Sequence, residues 1–160
     1  MIAHPFPPLY NESSRILILG SFPSVKSREE MFFYGHPQNR FWKVLSSLLG
    51  AEVPTSVEEK RALLLSSNIA LWDVIGSCDI VGSSDSSIKN VIPNDISEIL
   101  KVADIKAIFV NGKTAEKYYK KYTEEKVGIK AVCLPSTSPA NATQSIENLL
   151  ESWRVILQFL

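Results

Sequence analysis

Arg15-Ile16-Leu17-Ile18-Leu19-Gly20-Ser21-Phe22-Pro23-Ser24 is the stretch that decides the fold. Four aliphatic residues run without alternation and stop at a Gly-Ser-Phe-Pro turn. A strand with one wet face would alternate, so Ile16 to Leu19 reads as a strand buried on both faces, the habit of parallel sheets. Counted with its ends, this run spans Arg15 to Ser21. Three others resemble it: Ile69 to Ile75, Ile105 to Asn111 and Ile129 to Pro135. Cys133, in the last of them, reads as a small buried thiol.

Helical patterns fill the gaps. Phe41, Trp42, Val44, Leu45, Leu48 and Leu49 recur with helical spacing across Asn39 to Leu49, and Gly50 is a natural stop. Ser56 before Glu58 and Glu59 starts a helix to about Ser66. Pro93-Asn94-Asp95 starts another to about Val102. Gly112 to Tyr122 and Thr143 to Phe159 complete the set, and Gly82 to Ser87, with four serines, reads as a solvent loop. Strands alternating with helices predict an α/β three-layer sandwich around a four-stranded parallel sheet, in spatial order 2-1-3-4. Residues 1–160 form one domain, with no repeat or linker.

Composition narrows the function. With 17 basic and 17 acidic residues the formal net charge is zero, which argues against a protein that simply coats nucleic acid and leaves room for a local basic face. No charged start precedes an apolar run, so no secretory signal is expected, and no apolar run is long enough to span a bilayer. Two cysteines, Cys78 and Cys133, make neither a disulfide framework nor a metal site. A cytoplasmic monomer without metal or cofactor is expected.

Ligands of open α/β sheets bind beyond the carboxyl ends of the strands. Three loops at that edge carry polar chemistry: Gly20 to Ser24, Asn111-Gly112-Lys113-Thr114, and Leu134-Pro135-Ser136-Thr137-Ser138-Pro139-Ala140-Asn141. Beside them, Tyr34-Gly35-His36-Pro37-Gln38-Asn39-Arg40-Phe41-Trp42 combines amides, a His, an Arg and aromatic rings, a set suited to a flat, hydrogen-bonding ligand. Gly112-Lys113-Thr114 lacks the earlier glycine of a phosphate loop, so nucleoside triphosphate binding is not expected.

Gly-Ser-Phe-Pro-Ser, Gly-His-Pro-Gln-Asn-Arg-Phe-Trp and Leu-Pro-Ser-Thr-Ser-Pro-Ala-Asn, in this order, resemble the motifs of the uracil-DNA glycosylase superfamily, most of all its hypoxanthine-DNA glycosylase branch. The Asn-Arg-Phe-Trp element also resembles the mismatch-specific uracil glycosylases. The likeness covers nearly the whole chain and implies a uracil-DNA-glycosylase-like fold. The partner it implies is DNA containing deaminated bases. Two departures stand out. Phe22 occupies the place of the classical catalytic Asp, and Leu134 that of the classical His. In the hypoxanthine branch catalysis rests on the Asn of Pro-Gln-Asn-Arg, which maps onto Asn39; Ser136 is placed with it as catalytic.

A pocket for a flipped base needs an aromatic face, polar groups for the base edge and a positioned water. Ser21, Phe22, Pro23, Phe33, His36, Asp73 and Asn111 are the candidates for base binding, with Phe22 as stacking face and Asp73 as an edge reader. Ser24, Arg28, Lys113, Thr137, Ser138, Pro139 and Asn141 are the candidates for DNA contact. Duller roles stand beside these. Asn39 is also a natural helix cap, His36 can bond only its neighbours, and Ser136 and Ser138 are common turn formers. Lys117, Lys120 and Lys121 read as a solvated face. With Lys113 read as a phosphate contact, the loops offer no obvious lysine nucleophile, so a monofunctional glycosylase is expected. The alternatives are a mismatch-type uracil glycosylase and a catalytically silent base-binding module.

Overall fold

A computed structural model describes residues 1–160. A two-residue strand, β1 (Ile2–Ala3), precedes β2 (Ile16–Gly20) and a short helix α1 (Val25–Glu30). Helices α2 (Phe41–Leu49) and α3 (Val57–Ser66) lead to β3 (Ile69–Asp73), β4 (Ile75–Asp79) and β5 (Lys89–Pro93). Then come α4 (Ser97–Val102), β6 (Ala107–Asn111), α5 (Lys113–Tyr122), α6 (Glu124–Val127), β7 (Ala131–Leu134) and α7 (Ile146–Trp153), closed by a 3-10 turn, Arg154–Phe159.

The four apolar runs form one parallel sheet in the order β3-β2-β6-β7, which is the expected 2-1-3-4. Every residue of β2 is buried, so both of its faces are covered. Helices flank the sheet: α3 lies against β3, α5 lies against β6 and β7, and α2 meets α7. Ile16 pairs with Ile69 and Ala107, and Leu19 with Trp72 and Val110. This register makes the strands end together, at Gly20, Asp73, Asn111 and Leu134. It sets the loops that follow side by side.

The structure departs from the sequence reading where local signals were weak. A second, antiparallel sheet, β1-β4-β5, adjoins the first, and a single residue, Val74, separates β3 from β4. Pro93, expected to open a helix, instead ends β5 opposite Ile75; an outer strand tolerates the missing N–H. The helix begins at Ser97. The fourth run is shorter than expected and only partly covered. Val132 is 44% exposed because β7 is the sheet's edge. Cys133 is therefore half-buried, and Cys78 is the thiol wholly inside. The last helix begins at Ile146, capped by the Ser145 hydroxyl, which accepts the Asn148 N–H at 3.1 Å. No helix is long and apolar enough to cross a membrane.

Leu17→Ala, in the strand buried on both faces, should lose about 2–5 kcal/mol by transfer and cavity terms together. Val132→Thr, on the open edge, should stay within about 0.5 kcal/mol of the parent. Urea unfolding midpoints of the two variants check the difference; equal midpoints would contradict the assignment of centre and edge.

Candidate active site

One cavity of about 380 Å³ opens at the carboxyl ends of the parallel strands, and all three motif loops line it. Its wall is built by buried hydrogen bonds. Thr137 is fully buried, and its N–H donates to Asn111 Oδ1 at 3.1 Å while its hydroxyl accepts from Asn111 Nδ2 at 3.0 Å. The Thr137 carbonyl accepts the Arg40 N–H at 3.0 Å. The Arg40 guanidinium donates to the carbonyls of Asn141, at 2.9 Å, and Gln144. Asn141 Nδ2 donates to the Ser136 carbonyl at 3.0 Å, and the Trp153 indole N–H donates to the Pro135 carbonyl at 2.9 Å. Gly112 crosses this seam with φ 97°, and a Cβ there would stand 3.0 Å from Ser136 Cβ; only glycine fits without displacement.

Fourteen of the expected site residues line the cavity: Asn39, Ser136, Ser21, Phe22, Pro23, Phe33, His36, Asp73, Asn111, Ser24, Lys113, Thr137, Ser138 and Pro139. Several already have other bonds. Asn39 lies two residues before α2, and its Oδ1 accepts the Phe41 N–H at 2.9 Å, which leaves the amide NH2 as its uncommitted end. His36 Nδ1 accepts the Gln38 N–H at 3.1 Å. Ser24 caps α1 by accepting the Ser27 N–H at 3.2 Å. The Ser136 and Ser138 hydroxyls accept the N–H groups of Ser138 and Ala140, and so stiffen their loop. Phe33 is 2% and Phe22 9% exposed, so little of either ring is open to solvent. Lys113, exposed and without an ion pair, is the one Lys or Arg along the wall.

Four of the expected residues also hold bonds within the chain. The Thr137 side chain, expected on DNA, is buried against Asn111. The Asn111 amide, expected on the base, has both ends engaged by Thr137. Asn141, also expected on DNA, lies outside the cavity and braces the Ser136 loop. Arg28 also lies outside it; its Nη2 donates to the Gly82 carbonyl at 2.6 Å, and its guanidinium sits 5.7 Å from the centre of the Phe22 ring. That bond, with the Val25 N–H donating to Ser83 Oγ at 2.9 Å, pins the serine-rich loop against α1. Ser83 and Asp85 thereby become part of the wall, and the loop is no free solvent excursion.

The sequence reading placed Tyr34 in the ligand-suited stretch without a site role and missed His4. Tyr34 holds a left-handed backbone, φ 51°, sparsely populated by bulky residues. Its carbonyl accepts the Trp42 indole N–H at 3.1 Å, and its ring stacks on Phe41 with centroids 4.1 Å apart. These two contacts hold Tyr34 in the cavity wall, with its hydroxyl buried and without a hydrogen-bond partner. Burial pushes the phenol well above the ordinary tyrosine range; the nearby Asp73 carboxylate pushes the same way, and the Asn111 amide opposes them. It therefore stays an O–H donor. His4 reaches the site from β1 and bonds Asp73, Nε2 to Oδ2, at 2.7 Å. The stretch that begins at Tyr34 was its signal in the sequence; His4 had none. No three His, Cys, Asp or Glu side chains gather in a way that would hold a metal.

Residues 7–157 match the family model described as "Uracil DNA glycosylase superfamily". A Hypoxanthine DNA glycosylase of Methanosarcina acetivorans is 34% identical over 160 residues, covering 99% of each chain. Another from Methanosarcina barkeri is 33% identical over 150 residues, covering 92% of this chain and 93% of that one. A solution NMR structure of an M. acetivorans protein, described as a candidate uracil DNA glycosylase, superposes with a TM-score of 0.81 at 31% identity, covering 98% and 99%. Matched almost from end to end in sequence and in fold, the chain belongs to the uracil DNA glycosylase superfamily.

Proposed function

We propose that this protein is a monofunctional DNA glycosylase that hydrolyses the N-glycosidic bond of a flipped, deaminated base. Hypoxanthine is the first candidate substrate and uracil the second. The observation that carries the reading is the single cavity of about 380 Å³ shared by all three motif loops, in a chain so close in length and order to relatives called hypoxanthine DNA glycosylases. Its volume suits one base, and the loops stand where open α/β sheets hold ligands.

Cleavage leaves an oxocarbenium-like sugar and an anionic base. The wall offers no carboxylate at the classical position, since Phe22 is there, and no His at the position of Leu134. Acceleration then rests on donors aimed at the departing base. Asn39 is the residue for this work. Its oxygen is turned to the Phe41 N–H, so its NH2 is free to donate to the base, and the oxygen's second lone pair can steady the attacking water. A neutral amide is a poor base, but hypoxanthine and uracil are better leaving groups than adenine or cytosine, so strong base catalysis is not required. Ser21, Pro23, His36 and Ser136 shape the base site. Lys113, Ser24, Ser138 and Pro139 form the rim that meets DNA, and the enzyme acts as a cytoplasmic monomer. The silent-module reading draws on Phe22 and Leu134 and expects binding without release.

Incubation with labelled duplexes carrying each deaminated base should release free hypoxanthine and leave an abasic strand that breaks only on alkali treatment. Borohydride should trap no covalent adduct, because Lys113 stands exposed at the rim and nothing desolvates its amine. Binding without any released base would establish the silent module instead.

Asn39→Ala should reduce the single-turnover rate by about 100-fold or more, the range seen when one aimed donor is removed. Loss of the bond to the Phe41 N–H should lower stability by only about 1 kcal/mol. A variant with wild-type turnover removes Asn39 from catalysis. Lys113→Ala should weaken binding of every DNA sequence alike and lower the slope of log affinity against log salt by about 1. An unchanged slope would place Lys113 away from the phosphates.

A further inference from the structure

The turn that leads into α2 carries two side chains of the cavity wall, His36 and Asn39. The Asn39 N–H donates to the His36 carbonyl at 2.9 Å and closes the turn, with Pro37 at its first corner, where a fixed φ suits it. The two residues thus stand at the two ends of one turn. Each spends its acceptor on a backbone N–H. Asn39 Oδ1 accepts from Phe41 at 2.9 Å, and His36 Nδ1 accepts from Gln38 at 3.1 Å. A ring nitrogen that accepts carries no proton, so the imidazole proton is on Nε2. No hydrogen bond within the chain engages that Nε2–H or the Asn39 NH2. What the turn leaves free is a pair of donors.

Breaking the glycosidic bond sends its electron pair onto the base ring. Water adds to the sugar carbon, and the proton it sheds goes to solvent and on to the released base. Between those events the ring carries negative charge inside the cavity. Donors in the wall lower that barrier because they bond the anion more strongly than the neutral ring of the substrate. The Asn39 NH2 alone meets one acceptor of the ring. Two donors from the ends of one turn meet two. Lys113, the one Lys or Arg along the wall, stands exposed at the rim, where water and salt screen its charge.

We propose that His36 is a second catalytic residue, whose Nε2–H donates to the departing base and shares its negative charge with the Asn39 NH2. The proposal rests on the glycosylase reading above and deepens it by naming the group that shares the charge. The Gln38 N–H holds the imidazole in this tautomer, so Gln38 contributes through its backbone. A His36 that only stiffened its own turn would need Nδ1 alone. Asparagine serves that purpose as well, since its side-chain oxygen accepts the N–H two residues on.

Substitutions at this position separate the two ring nitrogens. His36→Asn keeps an acceptor at the place of Nδ1 and removes the Nε2–H. His36→Gln sets an amide NH2 near the place of Nε2. Single-turnover release is measured on duplexes carrying the base that the wild-type protein removes and, in parallel, its more acidic analogue: 8-azahypoxanthine beside hypoxanthine, or 5-fluorouracil beside uracil. The analogue holds negative charge more readily and needs the donor less. A ratio of two substrates on one variant does not depend on how much of that variant is folded. In His36→Asn, release of the parent base should fall by roughly 10- to 100-fold, the range expected for one hydrogen bond to a charged group. The analogue should lose less, so the analogue-to-parent ratio should rise by about 3-fold or more. His36→Gln should recover part of the rate and bring the ratio back towards wild type. Wild-type rates in His36→Asn, or lowered rates with an unchanged ratio, overturn the proposal. So does a His36→Gln enzyme no faster than His36→Asn, since the bond to Nδ1 would then be what matters. A wild-type protein that binds these duplexes and releases neither base removes the glycosylase reading itself, and the proposal with it.

Discussion

Thr137 commits its N–H, its hydroxyl and its carbonyl to two other segments of the chain, and the cavity depends on that arrangement. Its N–H and hydroxyl meet the Asn111 amide, and its carbonyl meets the Arg40 N–H. The loops after β6 and β7 and the approach to α2 are thereby tied at one buried point. Buried polar groups paired in this way are held rigid, whereas the same groups left unpaired would each carry a penalty of about 1–3 kcal/mol. Loops tied in this way lose little further entropy when a ligand enters, which helps a site that must compete with stacking in a duplex.

The neighbouring groups divide into those that hold the site and those left free. Asn111, Asn141, Ser136 and Ser138 hold backbone. Asp73 Oδ1, the Asn39 NH2 and Lys113 remain uncommitted, and the Tyr34 hydroxyl is buried without a partner. Polar side chains in a pocket are easily taken as ligand contacts, but a side chain whose donors and acceptors are already matched has little left to offer. Here the uncommitted groups come from three separate segments, and three of them are steadied by partners outside the cavity lining: Phe41 for Asn39, Trp42 and Phe41 for Tyr34, and His4 for Asp73.

The parallel sheet was legible because β2, β3 and β6 are continuously apolar, a pattern that only double-sided burial explains. The motif loops were legible because Gly, Pro and Ser punctuate the ends of those strands. The second sheet was not. Ile75-Gly-Ser-Cys-Asp79 has neither alternation nor an apolar run, β1 is two residues long, and Pro93 signals a helix start as readily as the end of an edge strand. His4 and Asp73 are 69 residues apart and meet only because β1 pairs with β4, so no local pattern could join them. Thr137, Asn111 and Asn141 also bond within the chain, which was not legible, since sequence tells which side chains are polar and not which of them are already bonded.

Gly20 lies in the middle of this division between holding and being free. Its backbone is paired in the centre of the sheet, opposite Asp73, and its conformation is one any residue adopts. A single methyl at this position would nonetheless collide with Asp73 Oδ1 and crowd the Tyr34 hydroxyl. Any residue other than glycine here would have to move the Asp73 carboxylate. The constraint at this position comes from the side chains around it and not from the turn of the chain, so a glycine in an ordinary strand conformation is here a matter of the space it leaves.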